Sequence, residues 1–147
     1  MPTSNAARGP VENRLRYVFL ALIVVQGAHS IEEYVFELYE VFAPARFASG
    51  LVSSDLATGF AILNVTIVAF GIWCYAARVR PGRTSAPGWI WPWILVELGN
   101  GVVHTTMAVV RGSYFPGVAT APLLFVLALF LATRLLRARR SPGWTAT

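Results

Sequence analysis

The sequence predicts an all-α integral membrane protein, a four-helix bundle with both termini in the cytoplasm, and three observations predict it. The 147-residue chain is 56% hydrophobic and only 13% charged, whereas a typical soluble domain is about 25% charged. Four runs reach the roughly 20 mostly apolar residues that one crossing of a bilayer needs. Arginines are concentrated in alternate connecting segments. A soluble chain of this length has too little interior to bury so much apolar surface.

Apolar runs place the four helices in order. The second run carries no charge, and the fourth carries none before Arg134. The third is interrupted by Glu97, and Pro92 lies near its start, where it either begins or kinks the helix. The predicted bounds are about 17–36, 56–77, 87–110 and 117–136.

The first predicted helix contains charged residues near its carboxyl end. Its charge-free part, residues 17–30, is too short to cross a bilayer alone. The helix therefore spans only if Glu32 and Glu33 enter the membrane. A secretory signal peptide cut after Ala28 is the alternative, but Gln26 stands where the cleavage site requires a small residue.

Arginine placement predicts the orientation. All twelve basic residues are arginine, and ten of them lie in the amino-terminal arm, in the second loop, and in the tail together with the end of the fourth helix, which carries Arg134. The positive-inside rule places these three segments in the cytoplasm. We therefore expect an arm at 1–16, a transmembrane domain at 17–136 and a basic tail at 137–147, in the inner (plasma) membrane as a multi-pass protein. The tail is expected to contact anionic lipid headgroups.

Ionisable residues lie inside two of the predicted spans. The first helix carries three on one face, together with Gln26, at spacings of three and four: His29, Glu32 and Glu33. The third helix carries a second polar stripe: Glu97, Asn100 and His104. At 1.5 Å per residue, His29 lies about 18 Å along the first helix from Tyr17, and His104 lies about 22 Å along the third helix from Trp89. The two stripes therefore face each other at similar depth, and ionisable residues inside a membrane are functional candidates by default.

Three short motifs occur in order along the chain. They are HXXEE at 29–33, NXXXH at 100–104 and PGXXT at 116–120. Together they resemble the HXXEE-domain family of small bacterial integral membrane proteins, from the first helix to the fourth. The resemblance implies no function, because that family is one of uncharacterised proteins. It implies that these residues match the family pattern: His29, Glu32, Glu33, Asn100, His104, Pro116, Gly117 and Thr120.

The first reading of the intramembrane cluster is a metal site. Two imidazoles with two carboxylates suit zinc, iron or manganese, and helical-bundle metal proteins take His and Glu from one helix with ligands from another. The predicted ligands, which are also the predicted catalytic groups, are His29, Glu32, Glu33 and His104. Two alternatives stay open: metal-free acid–base or proton chemistry, and a structural clamp in which His104 only bonds Glu33.

Four further residues are predicted to support the cluster or to contact a substrate. Glu97 is a third carboxylate of the cluster, a group that orients His104, or a protonated glutamate that bonds a neighbouring helix. It lies nearly two turns from His104, too far to share one metal with it easily. Asn100 is an orienting hydrogen-bond donor. Thr120 touches a substrate or caps the fourth helix, and Asn64 joins the site or holds helices together.

These features favour a membrane enzyme that acts on a lipophilic small molecule by hydrolysis, isomerisation or cyclisation. The alternatives are a proton- or ion-handling transport subunit and an accessory protein with a structural His/Glu clamp. With four spans, a transport subunit would need a homo-oligomer. The expected partners are the lipid bilayer and the lipophilic substrate. Nucleic acid is not expected, because the arginines form no patch on a globular face.

Overall fold

The computed structural model describes residues 10–140, and the side chains of residues 13–138. Parts of the predicted arm (1–16) and of the predicted tail (137–147) therefore lie outside the described residues. The predicted domain bounds and the cytoplasmic placement of the termini stay predictions.

The described chain is helical and contains no strand. Four long helices have these bounds: α1 Pro10–Val35, α4 Leu56–Cys74, α5 Ala86–Arg111 and α6 Ala121–Arg140. Two short helices join α1 to α4: α2 Leu38–Val41 and α3 Ala43–Val52. Four stretches are long and apolar enough to cross a membrane: Asn13–Val35, Leu56–Val79, Ala86–Arg111 and Ala121–Ala138. The predicted all-α fold with four membrane spans is thereby confirmed.

The helix ends differ from the predicted bounds where local backbone geometry decides them. The fourth long helix begins at Ala121 rather than near residue 117, because Gly117 has φ of +91° and cannot continue a right-handed helix. At the end of α4 the chain widens into a π turn, Tyr75–Val79. Pro92 lies inside α5, one turn and a half after that helix begins.

The connection between α1 and α4 is built from short helices with defined ends. Glu37 has φ of +55°, which separates α1 from α2. The Asp55 side chain caps α4 by accepting from the Thr58 backbone N–H at 3.1 Å and from the Thr58 hydroxyl at 2.5 Å. These bonds lower the pKa of Asp55, and the carboxylate therefore stays charged at the positive end of the helix dipole.

The long helices pack in pairs around one interior. Helix α1 contacts α4 and α6, and α5 packs along α6. Gly101 allows that last approach, since a Cβ there would stand 2.5 Å from Cβ of Phe125. Two apolar clusters fill the interior, one around Phe19 and Leu131 and a smaller one around Phe60 and Phe115. The buried polar residues of α1 and α5 lie between the two clusters: Gln26, His29, Ser30, Glu33, Glu97 and His104.

Candidate functional site

Three side chains with metal-ligating atoms meet between α1 and α5. His29 and Glu33 lie one turn apart on α1, and His104 projects from α5. Oε1 of Glu33 is 3.2 Å from Nε2 of His29 and 3.2 Å from Nε2 of His104. The exposed fractions of the three residues are 0%, 7% and 3% in chain order. Their ligating atoms lie within 4.8 Å of one another, and the group can hold a metal ion.

The hydrogen-bond partner of Nδ1 determines which nitrogen of a neutral His104 ring carries the hydrogen. Nδ1 of His104 lies 2.6 Å from the carbonyl oxygen of Pro116. A carbonyl oxygen only accepts hydrogen bonds, so Nδ1 carries the hydrogen and donates it. In the neutral ring Nε2 is then an unprotonated acceptor, and its position beside Glu33 is fixed by the backbone of the 116–120 turn.

The His29 ring is fixed in the same way through a hydroxyl. Nδ1 of His29 lies 2.7 Å from Oγ1 of Thr120. The single proton of that hydroxyl goes to Oε2 of Glu32 at 2.6 Å, because an ionised carboxylate only accepts and the two oxygens would otherwise have no hydrogen between them. Nδ1 of His29 is therefore the donor to Thr120. Its Nε2 is buried and, within residues 13–138, has no hydrogen-bond partner.

Three acceptor atoms thus converge in one enclosed space: one carboxylate oxygen and two imidazole nitrogens. Buried acceptors without a donor are destabilising, so this arrangement calls for a cation or a proton between them. Histidines that bind metals characteristically donate their other N–H to a carbonyl or a carboxylate-linked group. With zinc–ligand bonds of 2.0–2.1 Å, tetrahedral geometry separates ligand atoms by about 3.3 Å. The two separations from Glu33, both 3.2 Å, fit that spacing, and all three ligating atoms lie within 4.8 Å of one another.

Glu32, the fourth predicted ligand, lies outside this group. Its Oε1 accepts from the Tyr114 hydroxyl at 2.5 Å and from the Ala119 N–H at 2.9 Å. Its Oε2 accepts from the N–H of Thr120 at 3.0 Å as well as from the hydroxyl. These four donors hold the carboxylate against the 116–120 turn. Glu32 therefore reaches the site indirectly, through Thr120 and His29.

Thr120 and Tyr114 have roles that the sequence did not resolve. Thr120 immediately precedes α6, but its hydroxyl bonds Glu32 and His29 rather than only capping that helix. Tyr114 was not predicted as a site residue, and its nearness to the PGXXT motif was the one available signal. Burial and the bond to Glu32 raise the pKa of Tyr114, so the phenol stays protonated and donates.

Glu97 lies in a second buried polar group, which is separate from the His29–Glu33–His104 group. It accepts from Nδ2 of Asn100 at 3.1 Å. With the Gln26 amide turned so that each of its atoms meets a complementary partner, Nε2 lies 3.0 Å from both Glu97 oxygens and Oε1 accepts from the Ser30 hydroxyl at 3.3 Å. Glu97 does not join the His29–Glu33–His104 group. It links α5 to α1 through the Gln26 amide, and the roles expected for Glu97 from the sequence stay predictions.

A cavity of about 310 Å³ leads to the site between α4 and α5. The two helices approach through the π turn and the aromatic rings near it, and they separate toward His104. The walls are mostly apolar, with residues such as Phe42, Phe60 and Ile67. Asn64 reaches the wall with its amide donating to the Phe60 carbonyl of its own helix at 3.1 Å. The polar lining consists of Gln26, Glu33, Asn64, Asn100 and His104.

Gly117 is the residue that lets the 116–120 turn approach both imidazoles. Its φ of +91° lies in a region that side chains disfavour. A Cβ at this position would stand 2.5 Å from Nδ1 of His104 and 2.7 Å from Cε1 of His29. The glycine is therefore required by the backbone angle and by the two rings together.

Replacing Gly117 with alanine should destabilise the protein by roughly 2–5 kcal/mol and displace both imidazoles, since strain and overpacking add. Gly112→Ala is the matched control, because Gly112 also has a positive φ, of +62°, but nothing lies within 4 Å of its Cβ position. Thermal unfolding in detergent and metal affinity measure the difference. Equal behaviour of the two variants would show that the rings do not depend on this close approach.

Comparison with known sequences agrees with the motifs. The sequence model of a family described as proteins of unknown function with an HXXEE motif matches residues 19–132. Neither a curated protein nor a solved structure gives a significant match. The matched segment covers most of the chain and contains all three motifs, which confirms the resemblance. The chain belongs to the HXXEE family.

Proposed function

We propose that the protein is a metal-dependent membrane enzyme that acts on a lipophilic small molecule. The observation that carries the proposal is the meeting of Oε1 of Glu33 with Nε2 of His29 and Nε2 of His104 in an enclosed site; in the neutral rings both nitrogens are unprotonated acceptors. Each imidazole is held in the metal-binding tautomer by a partner on the 116–120 turn. A clamp built only to join helices would not need three acceptors facing one another.

His29, Glu33 and His104 would hold the ion, and their chemistry favours zinc, iron or manganese. Three protein ligands leave coordination positions open, which is characteristic of catalytic metal sites. A divalent cation held there would polarise a substrate oxygen or make a bound water nucleophilic. The 116–120 turn keeps both rings in place through the Pro116 carbonyl and the Thr120 hydroxyl.

The cavity supports a lipophilic substrate. Part of its lining comes from two helices that are long and apolar enough to span a membrane, which supports an opening toward lipid. An apolar molecule can then enter sideways from the bilayer and bring a polar end to His104. Asn64 and Asn100 line the route, and each amide keeps one N–H and its oxygen free of the bonds described above to orient that polar end.

Metal content per chain tests the proposed ligand set. Purified native protein should carry near-stoichiometric zinc, iron or manganese by elemental mass spectrometry, after loading if necessary. His29→Ala and Glu33→Gln should lose the metal. Glu37→Gln, an exposed carboxylate just beyond α1, should keep it. A native protein that takes up none of the three ions would overturn the metal proposal.

Conversion of a lipid tests the enzymatic part. Metal-loaded protein in liposomes is incubated with a total lipid extract, and the species are separated by liquid chromatography and compared by mass spectrometry with those left by Glu33→Gln. Isomerisation or cyclisation should convert one lipophilic species into another of equal mass. Hydrolysis should add one water. An extract that the native protein and the variant leave identical would count against an enzyme.

The hydrogen-bond chain from Glu32 through Thr120 to His29 favours a second candidate, a proton-handling transport subunit. Four spans are few for a transport path, so this role would require a homo-oligomer. Proteoliposomes with an enclosed pH-sensitive dye separate the two functions. A proton flux that Thr120→Val removes would support transport, and its absence would leave the enzyme proposal alone. In both cases we place the protein in the inner membrane with cytoplasmic termini.

A further inference from the structure

At the opposite end of the bundle, a cation packs against two neighbouring indole rings. Cζ of Arg78 lies 5.4 Å from the ring centroid of Trp73 and 5.2 Å from that of Trp89. Both distances are within the range of cation–π attraction. The two indoles also touch each other at 5.3 Å in a T-shaped arrangement. Arg78 is therefore held in one place, unlike an ordinary mobile surface arginine.

The backbone of Arg78 lies in the π turn at the end of α4. The Arg80 N–H bonds the Tyr75 carbonyl at 2.7 Å, which makes the i to i+5 bond of a π turn. Single π turns are rare and are frequent at functional sites. This one places Arg78 where α4 ends, beside the Trp89 ring near the start of α5.

Arg78 lacks the anion that would ordinarily balance it. The sequence contains no acidic residue between Asp55 and Glu97, and the loop after the π turn adds Arg80 and Arg83. Within residues 13–138, no carboxylate forms an ion pair with Arg78, and its Nε is buried without a hydrogen-bond partner. A guanidinium fixed by two rings presents its N–H fork for an external anion, and its geometry suits two phosphate oxygens at once.

We infer that Arg78, packed against Trp73 and Trp89, binds the phosphate of an anionic phospholipid headgroup. The location selects a lipid as the source of the phosphate. Tryptophans at the ends of membrane spans lie at headgroup level, and basic pockets between spanning helices hold anionic headgroups. The site lies at the other end of the bundle from His29 and His104 and does not depend on the proposed catalysis.

Lipid titration followed by native mass spectrometry tests the site. Detergent-purified protein is titrated with phosphatidylglycerol and, separately, with phosphatidylcholine. The native chain should bind phosphatidylglycerol about tenfold more tightly, because only that lipid brings a net negative headgroup. Arg78→Ala should lose about tenfold in affinity for phosphatidylglycerol. Arg83→Ala removes the same charge from the same loop but from outside the indole pair, and it should change affinity less than about twofold.

A conservative variant and a competition experiment complete the test. Arg78→Lys retains the charge but lacks the planar fork, and it should weaken binding in a chain that still folds, even if Arg78→Ala does not. Inorganic phosphate at millimolar concentration should not displace the lipid. Equal losses in Arg78→Ala and Arg83→Ala, equal binding of the two lipids, or displacement by inorganic phosphate would each overturn the inference.

Discussion

Replacing Glu33 with glutamine should stabilise the metal-free protein while abolishing metal binding. Without a cation, and with both rings neutral, the Glu33 carboxylate faces two imidazole nitrogens that carry no hydrogen. A glutamine has nearly the same shape, and its amide donates to one of those nitrogens. Removing a buried acceptor that lacks a donor is worth roughly 1–3 kcal/mol. The unfolding temperature measured in chelator should therefore rise by a few degrees.

Addition of metal should reverse the order of the two proteins. At about 100 times the dissociation constant, a bound ion stabilises the native state by roughly 2.7 kcal/mol. The native protein should gain that stability, and Glu33→Gln should gain none. Glu40→Gln is the matched control, because Glu40 pairs with Arg46 on the surface and exposed pairs contribute little.

The change in unfolding temperature caused by Glu33→Gln is expected to be positive in chelator and negative with metal. These opposite signs distinguish a metal site from proton chemistry and from a structural clamp. If Glu33 only clamps helices, or shares a proton with a histidine, the glutamine variant loses a stabilising bond and unfolds at a lower temperature with or without metal. A lower unfolding temperature in chelator would therefore contradict the metal proposal. Metal content alone gives no such distinction, because a clamp that captures an ion during purification would also lose it on substitution.

Much of the fold and the centre of the site could be predicted from the sequence. Helical spacing placed His29 and Glu33 on one face, and counting residues from the membrane edge brought His104 to the same depth. Span length forced the HXXEE segment into the membrane. The helix ends were less accurate, because the φ of Gly117 and the π turn at 75–79 depend on packing that a hydropathy pattern does not record.

The roles of the two neighbouring glutamates could not be separated from the sequence. Glu32 and Glu33 lie three and four residues from His29, and both spacings put a side chain on its face. The choice is made by the 116–120 turn, whose N–H groups and Thr120 hydroxyl capture Glu32 and leave Glu33 to the histidines. The conformation of that turn depends on contacts with α1, which lies 87 residues earlier in the chain. The cavity likewise depends on how far α4 and α5 separate.

Thr120→Val should lower metal affinity ten- to hundredfold, the usual effect of removing the partner that orients a ligating histidine. Valine has the shape of threonine but no hydroxyl, so Nδ1 of His29 loses its acceptor and the ring is free to turn or change tautomer. Thr120→Ser keeps the hydroxyl and should bind metal nearly as the native protein does. Competition with a chelator of known affinity measures both.

Glu32→Gln changes the residue that accepts the hydrogen bond from the Thr120 hydroxyl. The amide oxygen of the glutamine still accepts a hydrogen bond from the turn. Its amide nitrogen is itself a donor, so it cannot replace the carboxylate oxygen that accepts from the other donors around Glu32. We expect a loss of metal affinity about equal to that of Thr120→Val, with no further loss in the double variant, because both changes break one chain of hydrogen bonds. Additive losses would mean that Glu32 and Thr120 act on the site separately. Equal affinities in the valine and serine variants would mean that the hydroxyl does not hold His29 at all.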